Sequence, residues 1–422
     1  MVPKESRLTR REYAAALVAA GASAGLAACL DAPGDNAVPT GTDDPSTLPD
    51  RQHAWNSTLS RDTDGNVLLP EHHVLLSLDL EADIDASARE TTETALRSLE
   101  RAYEWSNEGL LFTIGYTPTY FERVEIDSPI PHPEALSPQE SPAFDDCDAL
   151  IHLASDNPAV VLEAEEGLFG ERDELNGEPV EADLTGIFTR REDERRTGFI
   201  GEGVLAEQVD LDVLPDVVAE KAPLLMGFRS GFAESQASED AVTIREGPFA
   251  GGTTQHVSSM DTNLTQWFEQ ENHFQRVSKM FSPHHATEEL VGDVGERLDT
   301  TSGLTDEHIE ATEQDARQHG VVGHAQKIAR AREDGRPLLL RRDFNTVDGD
   351  QSGLHFLSLQ RTIEAFVRVR EAMNGEGLDV PMANNGIRHY LFVNRRGNAL
   401  LPPRDNRALP TVDSSETADS EK

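Results

Sequence analysis

A histidine and a pair of arginines lie close together in one stretch of the sequence, from Val321 to Asn345. His324 falls on the apolar stripe of a predicted helix, because apolar residues recur around it with helical spacing. Gly335 and Pro337 are expected to end that helix. A neutral imidazole on a packed helix can ligate haem iron, whereas a lone histidine on an apolar face is more often a hydrogen-bonded core residue. Both interpretations of His324 stay open at this point.

The residues after this helix predict a buried strand with charge at its exit. Three leucines lead into Arg341, Arg342 and Asp343. An arginine there can stabilise negative charge that develops on a bound oxygen ligand. Asp343 shares a strand face with Arg341, so it can supply a base to the same site, as can Glu234. In so acidic a chain, the alternative is that both acids occupy ordinary surface positions and have no part in the site.

The composition is strongly acidic. The 422 residues include 77 Asp and Glu against 37 Lys and Arg, which gives a net charge of −40, and lysine is scarce. Such a surface is typical of a protein that works in concentrated salt, where self-repulsion is screened, so we expect a halophilic source. The same charge argues against nucleic-acid binding, which needs a basic surface.

The first residues resemble an export signal. Arg10 and Arg11 form a twin-arginine pattern, and the apolar run that follows is too short to span a bilayer. Cys29 ends a segment that resembles a lipoprotein cleavage box, and Cys147 is the other cysteine, so no disulfide is expected. We therefore expect a signal over residues 1–28, lipidation at Cys29, and a location at the outer face of the cell membrane, lipid-anchored or secreted. Residues 29–50 and 404–422 are expected to be a disordered tether and a disordered acidic tail.

Hydrophobic periodicity predicts an α+β fold in two parts, residues 51–210 and 211–403. The first part reads strand, helix, strand, strand, helix, which is the order of a ferredoxin-like unit. Its predicted elements run from Val74 to Leu80, Ala86 to Trp105, Leu110 to Tyr116, Ala149 to Ala154 and Pro158 to Leu168. A similar order recurs later, with elements from Leu354 to Leu359, Thr362 to Met373 and Tyr390 to Asn394. This recurrence indicates two related halves.

Several separate stretches resemble the dye-decolourising peroxidase family, in the order and spacing found there. They cover roughly residues 51–403 and are Gly109–Tyr116, Met226–Gly231, His324, Leu339–Arg341, Gly353–Arg361 and Asn398–Pro402. The resemblance implies two ferredoxin-like halves of the dimeric α+β barrel type, each an antiparallel sheet with helices on one face, and haem b in the second half. It further implies hydrogen peroxide and a small-molecule reductant as substrates, and a possible homo-oligomer.

The resemblance also assigns site residues. His324 corresponds to the haem-iron ligand and Arg341 to the arginine over the other face of the haem. Gly227 and Gly231 correspond to the glycines of a motif whose aspartate moves a proton during peroxide cleavage, and Ser230 stands in place of that aspartate. A serine hydroxyl is a poor base without a partner, and loss of a general base costs about 10²–10⁴-fold in rate.

The serine leaves three functions open. The first is a peroxidase that uses His324, Arg341 and Ser230, with Asp343 as a replacement carboxylate. The second is a surface lipoprotein that binds or handles haem without catalysis, and the third is an interaction protein that keeps only the fold. Ser230 favours the second and third, whereas the presence of both His324 and Arg341 argues against the third.

Overall fold

A computed structural model describes residues 37–209, 212–349 and 351–411, and its elements are numbered here in chain order. The strands are β1 (His72–Leu80), β2 (Leu111–Tyr116), β3 (Ala143–Phe144), β4 (Ala149–Ser155), β5 (Glu174–Leu175), β6 (Glu178–Pro179), β7 (Phe188–Arg190), β8 (Arg196–Phe199), β9 (Thr253–Thr262), β10 (Leu340–Arg341), β11 (Phe344–Thr346), β12 (Gly353–Gln360) and β13 (Leu391–Leu401). The helices are α1 (Ala86–Ala102), α2 (Pro118–Arg123), α3 (Pro158–Leu168), α4 (Val204–Gln208), α5 (Asp216–Lys221), α6 (Glu239–Val242), α7 (His273–Met280), α8 (Pro283–Thr287), α9 (Asp306–Glu310), α10 (Thr312–His319), α11 (His324–Ala329) and α12 (Ile363–Asn374).

Eight of these strands close into an antiparallel barrel. Their order is β1-β4-β2-β13-β9-β12-β11-β8, and β8 pairs back onto β1. Residues 72–199 contribute the order β8-β1-β4-β2, and residues 253–401 contribute β13-β9-β12-β11. The short strands β3, β7 and β10 extend this sheet. The barrel confirms the predicted α+β class.

Alternation along the strands separates two cores. In β1, Leu75 joins a cluster with Val257, Leu357 and Leu401 from the opposite side of the barrel, so this cluster fills the barrel interior. The alternate residues of β1 pack outward with α1 and α3 in a larger cluster that includes Leu96. On the other half, α12 lies against β9 and β12. Helices therefore cover the outer faces of the barrel, and the space between helix and sheet is where a ligand can be held.

The predicted elements of the first part lie within a few residues of the observed ones. The predicted helix from Ala86 to Trp105 ends at Ala102, where the backbone of Tyr103 turns to an extended conformation. The strand that was expected to end at Asn394 continues as one strand to Leu401, through an irregularity in register between Val393 and Arg395. The later half therefore closes with a longer strand than the periodicity indicates.

The helix that carries His324 is shorter than predicted. It begins at His324 itself and ends at Ala329, so Val321 lies outside it and Gly335 does not end it. Gly323 precedes the first turn in an extended conformation. A Cβ at Gly323 would lie 1.6 Å from the carbonyl oxygen of Phe281, so the close approach of these two segments fixes where the helix begins.

The prediction of disorder is wrong for residues 37–50 and 404–411. The first segment lies along α1, where the backbone N–H of Gly41 donates to the carbonyl oxygen of Arg101 at 3.0 Å. In the second segment Arg407 is buried and forms an ion pair with the buried carboxylate of Glu100. Leu409 is also fully buried. Composition alone did not reveal these partners, because an arginine that binds a buried acid looks like any surface arginine in sequence.

The remaining predictions about the chain ends lie outside the described residues. These are the signal over residues 1–28, lipidation at Cys29, the part of the tether before residue 37, and the tail from residue 412. The predicted boundary between residues 210 and 211 also falls outside them. Within the described ranges, every helix is too short or too polar to cross a bilayer.

Candidate functional site

A cavity of about 540 Å³ lies between the outer face of the second half of the sheet and the helices that cover it. Met260 and Phe356 line it from the sheet, Met280 lines it from the end of α7, and Phe366 lines it from α12. Cavities of about 300–1,000 Å³ with mainly apolar walls and a few convergent polar groups are the usual form of small-molecule and cofactor sites.

His324 enters this cavity from the first position of α11. Its Nδ1 is buried and has no hydrogen-bond partner among the described residues. Burial lowers the pKa of His324 to about 3, and the nearby cations Lys327, Arg341 and Arg370 lower it further. The imidazole is therefore neutral at ordinary pH, which is the form that binds a metal.

Arg341 enters the same cavity from β10. The strand is held in place because Arg341 pairs with Ser358 of β12 and because its backbone N–H donates to Oε1 of Gln236 at 3.0 Å. Within the described ranges, its guanidinium makes no hydrogen bond or ion pair. The guanidinium is therefore available to an anionic or polarisable ligand.

Asp343 also lines the cavity and is only 7 % exposed, so it is not a surface acid. Burial raises the pKa of its carboxyl, whereas Arg341 and Arg342 lower it. Arg342 and Phe344 alternate with these residues and do not line the cavity. Arg341 is the last residue of β10 and Asp343 lies in the connection between β10 and β11, rather than on the one strand that the sequence predicts, but the side chains still alternate and both reach one cavity. A buried carboxyl beside an arginine can accept and return a proton, because burial favours its protonated form and the arginine favours its ionised form.

Glu234, the other candidate carboxylate, is exposed and accepts a hydrogen bond from Oγ1 of Thr300 at 2.9 Å. It is not among the residues that line the cavity, so the surface interpretation holds for this acid.

The structure separates the three residues of the glycine motif. Ser230 lines the cavity but is an exposed residue. Gly227 and Gly231 have φ values of 84° and 81° and do not line the cavity. A Cβ at Gly227 would lie 3.0 Å from Cγ2 of Val218, so this glycine serves the turn and its packing.

Three arginines that the sequence reasoning missed gather around one carboxylate at the cavity. Arg396 and Arg370 bind Glu140 at 3.0 and 3.1 Å. Arg388 donates to the backbone oxygen of Asn374 at 2.8 Å and forms no ion pair within the described residues. All four charged side chains line the cavity, so positive charge exceeds negative charge there. Alternation along β13 could have placed Arg396 on this face of the sheet. No pattern in the sequence indicates that Arg370 of α12, Arg388 or Glu140 lies next to it.

These residues fit a haem. His324 offers a neutral imidazole for the iron, and the apolar walls suit the faces of a porphyrin. The surplus of arginine charge suits the two carboxylates of the haem edge. Arg341 and Asp343 supply a cation and a carboxyl to the same space.

The chain is similar in fold to several proteins of known structure. A search of curated proteins found no match. The fold is similar to that of a dye-decolorizing protein from V. cholerae, with 15 % identity, 85 % of this chain and 99 % of that chain covered, and a TM-score of 0.53. It is also similar to ferric DtpA from Streptomyces lividans, with 17 % identity, 80 % and 90 % coverage and a TM-score of 0.54.

A third similar structure is a variant of DypB from Rhodococcus jostii RHA1 in complex with heme. Its identity is 14 %, with 84 % of this chain and 97 % of that chain covered and a TM-score of 0.51. At identities this low, the structural similarity shows that the chain shares its fold with the DyP-type peroxidases. One family model, described as a family of unknown function, DUF7405, matches residues 70–403, so the chain belongs to the DUF7405 family and has the fold of DyP-type peroxidases.

Proposed function

We propose that this protein binds haem b and reduces hydrogen peroxide with electrons from an external small-molecule reductant. The observation that carries the proposal is that one cavity brings together His324, Arg341 and Asp343. In the overall reaction hydrogen peroxide accepts two electrons and two protons and leaves as two water molecules. The bound haem supplies the redox chemistry.

Each residue has a distinct part in this proposal. His324 would hold the iron, since its imidazole is neutral and lines the cavity. Arg341 orients peroxide and stabilises the negative charge that develops as the O–O bond breaks. Asp343 takes a proton from the near oxygen and returns it to the leaving oxygen. Ser230 can position peroxide through its hydroxyl but has no carboxylate with which to move the proton.

The similar structures support this proposal through their names. The V. cholerae protein is called dye-decolorizing, and the DypB variant from Rhodococcus jostii is described in complex with heme. The residues of this chain's own cavity also support haem binding, because they fit a haem.

A second candidate function is haem binding without catalysis. The serine at position 230 favours it, because that position lies at the cavity and offers no base. The position of Asp343 supports the catalytic candidate, since a buried carboxyl beside Arg341 can replace the missing base.

Peroxide turnover of the haem-loaded protein separates the two. We expect Asp343→Asn to lower the turnover rate by about 10²–10⁴-fold, the usual contribution of a general base. Glu234→Gln, the exposed control, is expected to leave the rate unchanged. If native turnover is near zero and Ser230→Asp raises it strongly, the natural protein is a haem binder and the peroxidase proposal fails.

We further propose that the barrel combines two ferredoxin-like halves. In each half the first strand lies between the third and fourth strands, and the second strand lies beyond the third. This order, together with a helix after the first and third strands of the first half, supports the assignment.

We also propose that the protein is exported by the twin-arginine route, is lipidated at Cys29 and works in high salt. The supporting observations are the Arg10-Arg11 pattern, the cleavage box before Cys29 and the net charge of −40. Mass spectrometry of the mature N-terminus tests the first two, since an unprocessed and unmodified Cys29 would contradict them. Unfolding measured against salt concentration tests the third.

A further inference from the structure

A second cavity of about 570 Å³ lies beside the N-terminal end of α12, apart from the cavity that His324 lines. Its inner wall is apolar, with buried side chains from Phe249, Ile363 and Leu400. The half-buried side chains of Ile126 and Ile244 belong to the same wall. Contact with such a wall removes apolar surface from water, so the cavity favours a ligand with an aromatic or aliphatic body.

The rim of this second cavity is acidic. Four exposed carboxylates line it, and they belong to Glu125, Asp127, Glu246 and Glu364. Among the described residues, the one basic side chain in the lining is that of Arg361, which already donates to two backbone oxygens at 2.8 and 3.2 Å. Glu364 also lies in the first turn of α12, where its charge offsets the positive end of the helix dipole. The rim therefore attracts a cation and repels an anion.

The two cavities are neighbours along the same helix and the same strand. On α12, Ile363 lines the second cavity and Phe366 lines the first, about 4.5 Å further along the helix axis. On β9, Thr254 lines the second cavity and Ser258 lines the first, about 13 Å further along the strand. Their charges are opposite, since arginines predominate in the first cavity and carboxylates in the second.

His256 lies between the two cavities and is buried. Its ring stacks on that of Phe366, with ring centres 3.6 Å apart, and its Nε2 is 2.7 Å from Oγ of Ser258. Its Nδ1 is 2.8 Å from Oδ1 of Asn398, whose Nδ2 donates to the backbone oxygen of Pro131 at 2.9 Å. Pro131 lines the second cavity. An electron can cross such a layer of packed side chains by tunnelling, so a reductant in the second cavity need not touch a haem in the first.

We propose that the second cavity binds the external reductant, which is an aromatic compound with a positively charged group, and that its electrons pass to the haem across the side chains of His256 and Phe366. This inference rests on the proposed function, because the electron transfer needs a haem in the first cavity. With a phenol as reductant, each molecule loses one electron together with the proton of its O–H group. Two molecules thus supply the two electrons and two protons that turn hydrogen peroxide into two water molecules.

Calorimetric titration of the haem-loaded protein with two charge-matched phenols tests the binding. Tyramine carries an ammonium group, and 4-hydroxyphenylacetate carries a carboxylate on the same kind of ring. At the lowest salt concentration that keeps the protein folded, we expect tyramine to bind about tenfold more tightly, because the rim attracts one charge and repels the other. The double variant Glu246→Gln with Glu364→Gln should lose about threefold or more of the tyramine affinity.

The matched control is the double variant Glu310→Gln with Glu371→Gln. It removes the same number of exposed carboxylates from positions that line neither cavity, and Glu371 belongs to the same helix as Glu364. We expect it to bind tyramine as the native protein does. Equal affinity for the two phenols, or equal loss in the two double variants, would overturn the assignment of the cavity.

Peroxide-dependent oxidation of the same two phenols tests the electron transfer. We expect kcat/KM to be about tenfold higher for tyramine than for 4-hydroxyphenylacetate, and this ratio to fall in the Glu246→Gln, Glu364→Gln variant alone. Peroxide turnover with a ratio that the variant leaves unchanged would overturn this inference while the proposed function stands. A protein that binds tyramine as expected but takes up no haem would overturn the proposed function and the electron transfer with it.

Discussion

At the scale of single residues, the site depends on which side each side chain faces at the end of β10 and in the connection that follows it. Arg341 and Asp343 line the cavity, whereas Arg342 between them is buried away from it and donates to Oδ1 of Asn56 at 2.8 Å. This alternation was predictable, because leucines before the charges indicate a strand and its period is two. The position of Arg388 at the cavity was not predictable, since no pattern in the sequence places this residue near the others.

The charge of Arg341 should therefore influence the titration of Asp343. Burial raises the pKa of Asp343, and Arg341 lowers it, so removal of the guanidinium in Arg341→Gln should raise that pKa further. A base works only when it is deprotonated, so the acid limb of the pH profile for peroxide reduction should move to higher pH. Stopped-flow rates across pH measure this limb. An unchanged limb would show that Asp343 is not the base.

At the scale of elements, the position of His324 depends on where a short helix begins. Apolar spacing predicted a helix with His324 on its inner face, and the inner face is correct. The spacing missed the beginning of the helix, because the first turn is fixed by the contact between Gly323 and the carbonyl of Phe281, far away in sequence. A contact of this kind has no local signal, so periodicity cannot report it.

A methyl group at Gly323 should disturb this contact. We expect Gly323→Ala to lower the free energy of unfolding by about 1–3 kcal/mol, the usual cost of overpacking, and to weaken haem binding because His324 moves with the turn. Urea unfolding and haem titration measure the two effects. Gly349→Ala is the control, since its nearest contact would be 3.7 Å away. Equal behaviour of the two variants would contradict the account.

At the scale of the whole molecule, the fold holds several histidines buried and uncharged. Burial lowers the pKa of His53 and His285 to about 4 and that of His152 and His256 to about 3. The sequence predicted the barrel's strands through their apolar residues, but it gave no sign that these histidines are buried. His152 and His256 lie in β4 and β9, where a histidine fits either face, and His53 and His285 lie outside the strands.

These histidines should make the fold sensitive to mild acid. Each binds a proton near pH 6.5 when unfolded but only near pH 3–4 when folded, so stability is complete above pH 6.5 and falls as the pH decreases. For each histidine, the free energy of unfolding should fall by up to about 1.4 kcal/mol per pH unit in this range. Urea unfolding in high salt at pH 7.5 and at pH 5 measures the fall. Equal unfolding free energies at the two values would contradict this prediction.

The central claim is that His324 holds a haem, and the visible absorption spectrum tests it most directly. The purified protein is titrated with haemin in high salt beside His324→Ala and the exposed control His284→Ala. We predict a Soret band with one haem per chain in the native protein and the control, and loss of the iron–imidazole spectrum in His324→Ala. A spectrum unaffected by His324→Ala, or no haem band in the native protein, would contradict the claim.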